Sequence, residues 1–389
     1  MADAPQLRVG FVLPAELWIG GRNYLRNLLA AIDSLPGKPI VPVLFAGRQT
    51  DVGAADFPSV EIVRTALLDR KSLAWLLRKL LTQAAGQDLL MTRLLKRHGI
   101  AVLSHSIDLG RQDAVATLGW IADFQHLHMP ELFSQGELQK RYRDYMALCQ
   151  CDTVIVSSEA AGADLRTFSP ESAHKAALLR FVASPASLTL AAGLPELQQT
   201  YHFAGPYFLL PNQFWKHKNH RVVLDALKLL KLRNRPLLVL ATGTTEDFRN
   251  PTFFPALMEH ASQCDVLDCF RVLGQIPFGH LVGLMQHATA FINPSTFEGW
   301  STSVEEAKSM GKQIVLSDIA VHREQAPERA FYFPADDPAA LADALEAASA
   351  GFDAERDQVM QQAAREHFPQ RQRQFGETYL EIVREALRK

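Results

Sequence analysis

The sequence predicts an α/β chain made of two parallel-sheet domains. Three observations lead there. Short apolar runs alternate with longer helical stripes, most of the runs are apolar on consecutive residues, and the alternation occurs twice with a break between. Consecutive apolar residues are what a strand covered on both faces of a parallel sheet requires. Strands that alternate with helices give the α/β class.

In the first half the strand-like runs are Arg8 to Leu13, Val43 to Phe45, Ala101 to Ser104, Trp120 to Ala122 and Thr153 to Ser157. In the second half they are Tyr207 to Leu210, Leu237 to Ala241, Phe270 to Leu273, Ala290 to Asn293, Ile314 to Ser317 and Ala330 to Phe333. Helical segments lie between them; Asn23 to Leu35 carries Leu25, Leu28, Leu29 and Ile32 on one stripe. The segment from Ser184 to Pro206 is rich in Ala, Gly, Pro and Ser and separates the two sets. The reading is therefore two Rossmann-like domains facing across a cleft, 1–195 and 205–365. Ligand is expected at the C-terminal ends of the strands, where open α/β sheets bind.

Composition fits a globular chain. Of 389 residues, 48% are hydrophobic and 21% charged, which excludes a disordered, collagen-like or coiled-coil polypeptide. A formal net charge of -2 gives no bias toward nucleic acid. Cys149, Cys151, Cys264 and Cys269 form two close pairs without C-x-x-C spacing, so reduced cytoplasmic thiols are expected. The N-terminal residues lack a charged start followed by a long apolar run, and no apolar stretch reaches the ~20 residues of a membrane span.

The segment from Phe291 to Asp318, FINPSTFEGWSTSVEEAKSMGKQIVLSD, reads as strand, loop, helix, turn, strand. Thr302-x-x-Glu305 and Ser303-x-x-Glu306 both have capping-box spacing, and Gly311 ends the helix. Peptide N–H groups from Gly299 through Trp300, Ser301 and Thr302 to Ser303 are then expected to lack helical partners and to suit a phosphate. Gly299, without a Cβ, allows close approach. Glu298 and Glu306 are acids that can each accept hydrogen bonds from a pair of sugar hydroxyls; a surface loop acid and a helix-capping acid read the same way.

Four further segments carry polar chemistry. LLPNQFWKHKNHRVVLDAL (209–227) places Lys218 just before a helix whose N-cap is expected at Asn219; an ammonium there suits a diphosphate, although a solvated basic loop fits the same residues. FVLPAELWIGGRNYLRNLL (11–29) has Gly20 and Gly21 opening a helix, without the dinucleotide fingerprint G-x-G-x-x-G. WIADFQHLHMPELFS (120–134) groups Asp123, His126 and His128 after a strand. Their spacing is not the i, i+4 pair of a helical metal site, and either histidine can transfer a proton or serve a structural hydrogen bond. The Leu67 to His98 stretch mixes leucines with Arg and Lys, as a membrane-surface helix or an ordinary solvated helix does.

The E-G-(x)6-E-A pattern at 298–307, after a strand ending in Pro-Ser, resembles the E-x7-E signature of family-four glycosyltransferases, which are retaining enzymes of GT-B architecture. The resemblance runs from about Arg8 to Leu345. It implies that Glu298 contacts the donor sugar and Glu306 the nucleotide ribose. It implies a phosphate grip by Lys218, with Gln213 standing where the family usually has arginine. It implies that Gly20 and Gly21 line the site and that the backbone near Gln275 and Ile276 meets the base. Asp123 matches an acid of the family, where Ala122 replaces its usual histidine and His126 is a substitute for that role. A final helix near 370–389 is expected to pack back on the first domain.

The activity so implied is transfer of a hexose from a nucleoside-diphosphate sugar to a saccharide or lipid-linked acceptor, in polysaccharide, lipopolysaccharide or glycolipid synthesis. No D-x-D motif in a strand-end loop asks for a metal, so no cofactor is expected. The expected location is cytoplasmic, with a peripheral contact on the inner membrane face left open. A GT-B epimerase or hydrolase, and a non-catalytic nucleotide-sugar-binding protein, are the alternatives.

Overall fold

The computed structural model describes residues 6–13, 19–50, 52, 57, 60–106, 109–110, 114–184 and 191–388. The chain divides into two compact units. One comprises Met1–Pro130, Gln135–Val182 and Pro369–Lys389, and the other Glu131–Ser134 and Ala183–Phe368.

The first unit holds strands β1 (Leu7–Val12), β2 (Ile40–Ala46), β3 (Glu61–Arg64), β4 (Val102–Ser104), β5 (Ala116–Ile121), β6 (Thr153–Val156) and β7 (Ala176–Leu178). Its helices are α1 (Ile19–Asp33), α2 (Leu73–Ala85), α3 (Leu89–Arg97), α4 (Gln125–His128), α5 (Gln135–Cys149) and α6 (Glu159–Phe168). The strands form one parallel sheet in the order β3-β2-β1-β4-β5-β6-β7. The sequence reading misses β3 and β7. Both are edge strands with little burial, and the EIVR of β3 brackets two apolar residues with charges. β3 therefore shows no consecutive apolar run, whereas β7, AAL, is apolar throughout but only three residues long.

The second unit holds α7 (Leu194–Tyr201), β8 (Phe208–Leu210), α8 (His220–Leu232), β9 (Val239–Thr242), α9 (Phe253–Gln263), β10 (Phe270–Gly274), α10 (Phe278–His287) and β11 (Ala290–Asn293). It continues with α11 (Thr302–Ser309), β12 (Ile314–Ser317), α12 (Ala320–Gln325), β13 (Ala330–Phe333) and α13 (Pro338–Ala350). The parallel order is β10-β9-β8-β11-β12-β13. Neighbouring residues of each strand face opposite cores. Phe208, Leu210, Ala290, Ile292 and Val315 pack under α8 and α13, whereas Leu209, Phe291, Ile314 and Leu316 pack with α11 and the chain around α7. This is why the runs are apolar without alternation.

The last helix, α14, spans Ala354–Ala386 as a single element with Pro369 inside it, rather than starting near 370. Its start is fixed by a buried ionic knot. Asp357 accepts from Lys312 Nζ at 2.5 Å, Arg329 at 2.7 Å and Gln361 at 2.8 Å. Its later part packs in the first unit. There Tyr379 is fully buried near Phe11, and a Cβ on Gly376 would lie 2.5 Å from the Ala31 carbonyl oxygen.

Candidate functional site

In the second unit the chain leaves β8 toward β9 and β10 on one side, and returns through β11 to β12 and β13 on the other. The gap between β8 and β11 is thus a topological switch point, the place where loops diverge and open α/β sheets bind ligands. Lys218 lies on the loop after β8, in a short 3-10 turn (Lys216–Lys218), and Glu298 on the loop after β11. They meet there. Lys218 Nζ donates to Glu298 Oε1 at 2.6 Å, with the two side chains 15% and 9% exposed. Burial works to raise the Glu298 pKa, but the Lys218 ammonium, through charge and hydrogen bond, overrides it and holds the carboxyl at about 2. Glu298 is therefore an anion at any physiological pH.

Glu306 sits one turn into α11 and behaves in the opposite way. No described residue hydrogen-bonds or ion-pairs with its carboxylate, and desolvation by burial pushes its pKa up to about 7. Two acids eight positions apart are held in different protonation regimes. One is permanently charged and neutralised by a lysine; the other is desolvated and unpartnered.

The loops carrying these groups are joined by a buried polar network. Asn293, the last residue of β11, donates from Nδ2 to Ser301 Oγ at 2.8 Å and Ser303 Oγ at 3.1 Å. Its Oδ1 accepts from Ser295 N and Oγ and from Asn212 Nδ2. Asn219, at φ 54°, donates to the carbonyls of Pro294 at 3.1 Å and Ala335 at 2.8 Å, tying three loops together. His322, on α12, is fully buried and donates from Nδ1 to the Ser317 carbonyl at 2.9 Å. Its Nε2 has no partner among the described residues, burial lowers its pKa, and the Glu298 and Lys218 charges both act on it.

Several local expectations change. The N-cap of α11 is Ser301, which makes no side-chain cap bond, because its hydroxyl is turned to Asn293. The Thr302 and Ser303 capping boxes do not form. Glu305 bonds instead to Lys308 at 2.9 Å and Gln325 at 3.1 Å, and Glu306 caps nothing. The Ser301 amide, expected to be available to a phosphate, is taken by Gln325 Oε1 at 3.2 Å. Gln213 accepts from the Thr244 amide at 2.8 Å. Asn219 is the residue before α8, but its side chain is spent on the two carbonyls rather than on a cap. Trp300 is 8% exposed within its loop. Gln275 and Ile276 follow β10, the first exposed and the second packed on the core below.

In the first unit, Gly20 and Gly21 fall in the first turn of α1, Gly20 exposed and Gly21 buried. Residues 14–18, which precede them, lie outside the described residues. Asp123 accepts from the Gln125 amide at 2.9 Å and from Arg141 at 3.3 Å. His126 is 2% exposed inside a box of Phe124, Tyr142, Tyr145 and Phe168; neither ring nitrogen has a partner among the described residues, and burial brings its pKa to about 4. Ser158 caps α6 through the Ala161 amide at 3.0 Å. The sequence reading overlooks Asn212 and Asn293, although an Asn at the end of an otherwise apolar strand is itself the signal. It also overlooks the Tyr24, His105 and Trp120 cluster, where Tyr24 bonds His105 at 2.8 Å and stacks on Trp120 at 4.2 Å.

Residues 203–367 match the family model described as Glycosyl transferases group 1. No curated protein matches the chain. Similar solved structures include a glycosyltransferase from Rickettsia africae, 15% identical over 99% of each chain with a TM-score of 0.68. Another is Anabaena HepE in complex with UDP and glucose, 14% identical over 98% of this chain and 100% of that one, TM-score 0.67. A third is the lipopolysaccharide outer core galactosyltransferase WaaB in its apo form, 14% identical over 97% of this chain and 99% of that one, TM-score 0.62. These likenesses establish the two-domain GT-B fold. With a glycosyl transferases group 1 domain occupying the second unit of that fold, the protein is a glycosyltransferase.

Proposed function

We propose that the chain transfers a hexose, with retention, from a nucleoside-diphosphate sugar to an acceptor hydroxyl, without a metal. The observation that carries this reading is the Lys218–Glu298 pair astride the β8/β11 switch point, with the unpartnered Glu306 eight residues on. An ammonium buried beside a carboxylate is a ready counter-charge for a departing diphosphate. Glu298, kept ionised, accepts hydrogen bonds from sugar hydroxyls, and Glu306 accepts from a ribose diol. Retention follows if the acceptor attacks on the face from which diphosphate leaves, with a phosphate oxygen taking the acceptor proton. Lys218 supplies the positive charge that a metal gives elsewhere.

The structural relatives add support for the donor class, since HepE is solved with UDP and glucose. The acceptor we propose is a saccharide or lipid-linked saccharide of polysaccharide, lipopolysaccharide or glycolipid synthesis. No helix of the described residues is long and apolar enough to cross a membrane. Helix α2, however, buries no residue and turns Leu73, Leu77 and Leu80 to solvent at 86%, 52% and 64% exposure, among exposed Arg70, Lys71 and Lys79. Leucines with flanking cations suit an anionic bilayer surface. The proposed place of action is accordingly the cytoplasmic face of a membrane, held peripherally.

A thermal-shift screen with UDP-, GDP-, ADP- and dTDP-sugars tests the proposal, because a ligand that binds only the folded state stabilises it by mass action. One donor class should raise the melting temperature, and that donor should be turned over in the presence of EDTA. No shift with any of the four, or turnover that requires added Mg²⁺ or Mn²⁺, overturns the corresponding part.

A further inference from the structure

Away from the switch point, α8 and α9 bring three unlike ligand groups together. Asp225 lies on α8; His260 lies on α9 and Cys264 caps it one turn later, so both face the same way. His260 Nε2 and Asp225 Oδ1 are 2.7 Å apart, Cys264 Sγ and His260 Nε2 3.5 Å, and Cys264 Sγ and Asp225 Oδ1 3.7 Å. These side chains bond to one another and to no other described residue. We infer that Asp225, His260 and Cys264 form a three-ligand site for a thiophilic divalent cation of the zinc class, with water as the fourth ligand.

The geometry supports this directly. Zinc bonds of about 2.3 Å to sulfur and about 2.0 Å to nitrogen and oxygen, opened to tetrahedral angles, set sulfur about 3.5 Å from each of its partners. Both sulfur separations already lie within 0.2 Å of that value. Only the His260–Asp225 pair must open, by about 0.6 Å, as its hydrogen bond is exchanged for two metal bonds. A sulfur, an imidazole and one carboxylate form a mixed set that selects zinc-like ions over magnesium or calcium, which take oxygen. Asp225 and His260 are 33% and 17% exposed while Cys264 is buried, so the open coordination position faces solvent. The negative end of α9's dipole also favours a cation there.

Binding balances as follows. The cation enters and the Cys264 thiol proton leaves to solvent. The imidazole loses its proton from Nε2 and regains one at Nδ1 by exchange with water. The thiol, held above its ordinary value by burial and by the Asp225 charge, then binds as thiolate. Since α8 begins two residues after Lys218, the ion would brace the helix that follows the donor-site lysine.

Cobalt(II) tests this on the full chain, reduced and stripped with chelator. Titration should show one equivalent bound, with a thiolate-to-cobalt charge-transfer band and tetrahedral d–d bands that added Zn²⁺ abolishes. Cys264→Ser should lose the charge-transfer band, and Cys269→Ser should keep it. Asp225→Asn, at a solvent-facing position that leaves the fold intact, should weaken binding at least about tenfold, the smaller effect of losing even an outer-shell partner. A wild-type protein without the band, a band unchanged in Cys264→Ser, or an affinity unchanged in Asp225→Asn, overturns the site.

Discussion

Replacing Glu306 by Gln should make the protein more stable at alkaline pH while weakening its hold on the donor. The carboxylate has no partner among the described residues, so an amide of the same shape removes no native bond. It does remove a desolvated charge. A carboxyl whose pKa rises from 4.5 unfolded to about 7 folded binds its proton more tightly in the native state. That preference stabilises the fold below pH 4.5 and is lost as pH climbs toward 7. At 1.36 kcal/mol for each pH unit the loss reaches about 3 kcal/mol, an upper figure for a half-buried group. Glu306→Gln escapes it. Denaturant melts at pH 8 should therefore show the variant more stable by up to about 3 kcal/mol, and at pH 5 by about 1 kcal/mol or less. Donor affinity, read by calorimetry at pH 8, should fall in the same protein. An equal gain at both pH values, or none at pH 8, would refute the reasoning that burial alone sets this pKa.

Lys218→Met should leave Glu298 buried without its counter-charge and cost about 3–5 kcal/mol. Adding Glu298→Gln should restore most of that stability, read in urea melts, while kcat stays down at least about 10²-fold for want of the cation we propose for the leaving group. A double variant that regains activity would remove Lys218 from the chemistry. Because Glu298 is held at about 2, its stabilisation is complete above pH 4.5 and fades as pH falls toward 2; the double variant should lack that acid-side decline. Gly376→Ala forces a Cβ to 2.5 Å from the Ala31 carbonyl oxygen and should destabilise the first unit by about 1–3 kcal/mol; an unchanged melt would contradict the close approach. Leu77→Asp on the exposed face of α2 should abolish sedimentation with phosphatidylglycerol vesicles and leave the melting temperature within about 2 °C. Equal sedimentation would dismiss the membrane face.

The fold was readable because most of the strands are covered on both faces and announce themselves as apolar runs. Where coverage fails, as at β3, the signal disappears with it, and at β7 it shrinks to three residues. The last helix differs in another way, since it is expected from the sequence only near 370–389. A proline reads as a helix boundary, yet α14 runs through it, held on one side by the Asp357 knot and on the other by the packing of Gly376 and Tyr379. Within the candidate site, spacing picks out Glu298 and Glu306 but not their opposite electrostatics, which depend on a lysine 80 positions earlier for Glu298 and on burial alone for Glu306. The capping boxes failed for a related reason. Hydroxyls at 301 and 303 choose a buried amide at 293 over the local backbone, and local spacing carries no trace of that competitor.

That amide has a practical consequence for anyone wishing to change which sugar is accepted. Asn293 is fully enclosed and speaks to Ser295, Ser301, Ser303 and Asn212 at once. A library that varies the whole segment after β11 would mostly sample collapsed loops. One that holds 293, 295, 301 and 303 constant and diversifies only the residues between Thr296 and Gly299 other than Glu298 keeps the scaffold rigid, and lets selection act on substrate fit alone.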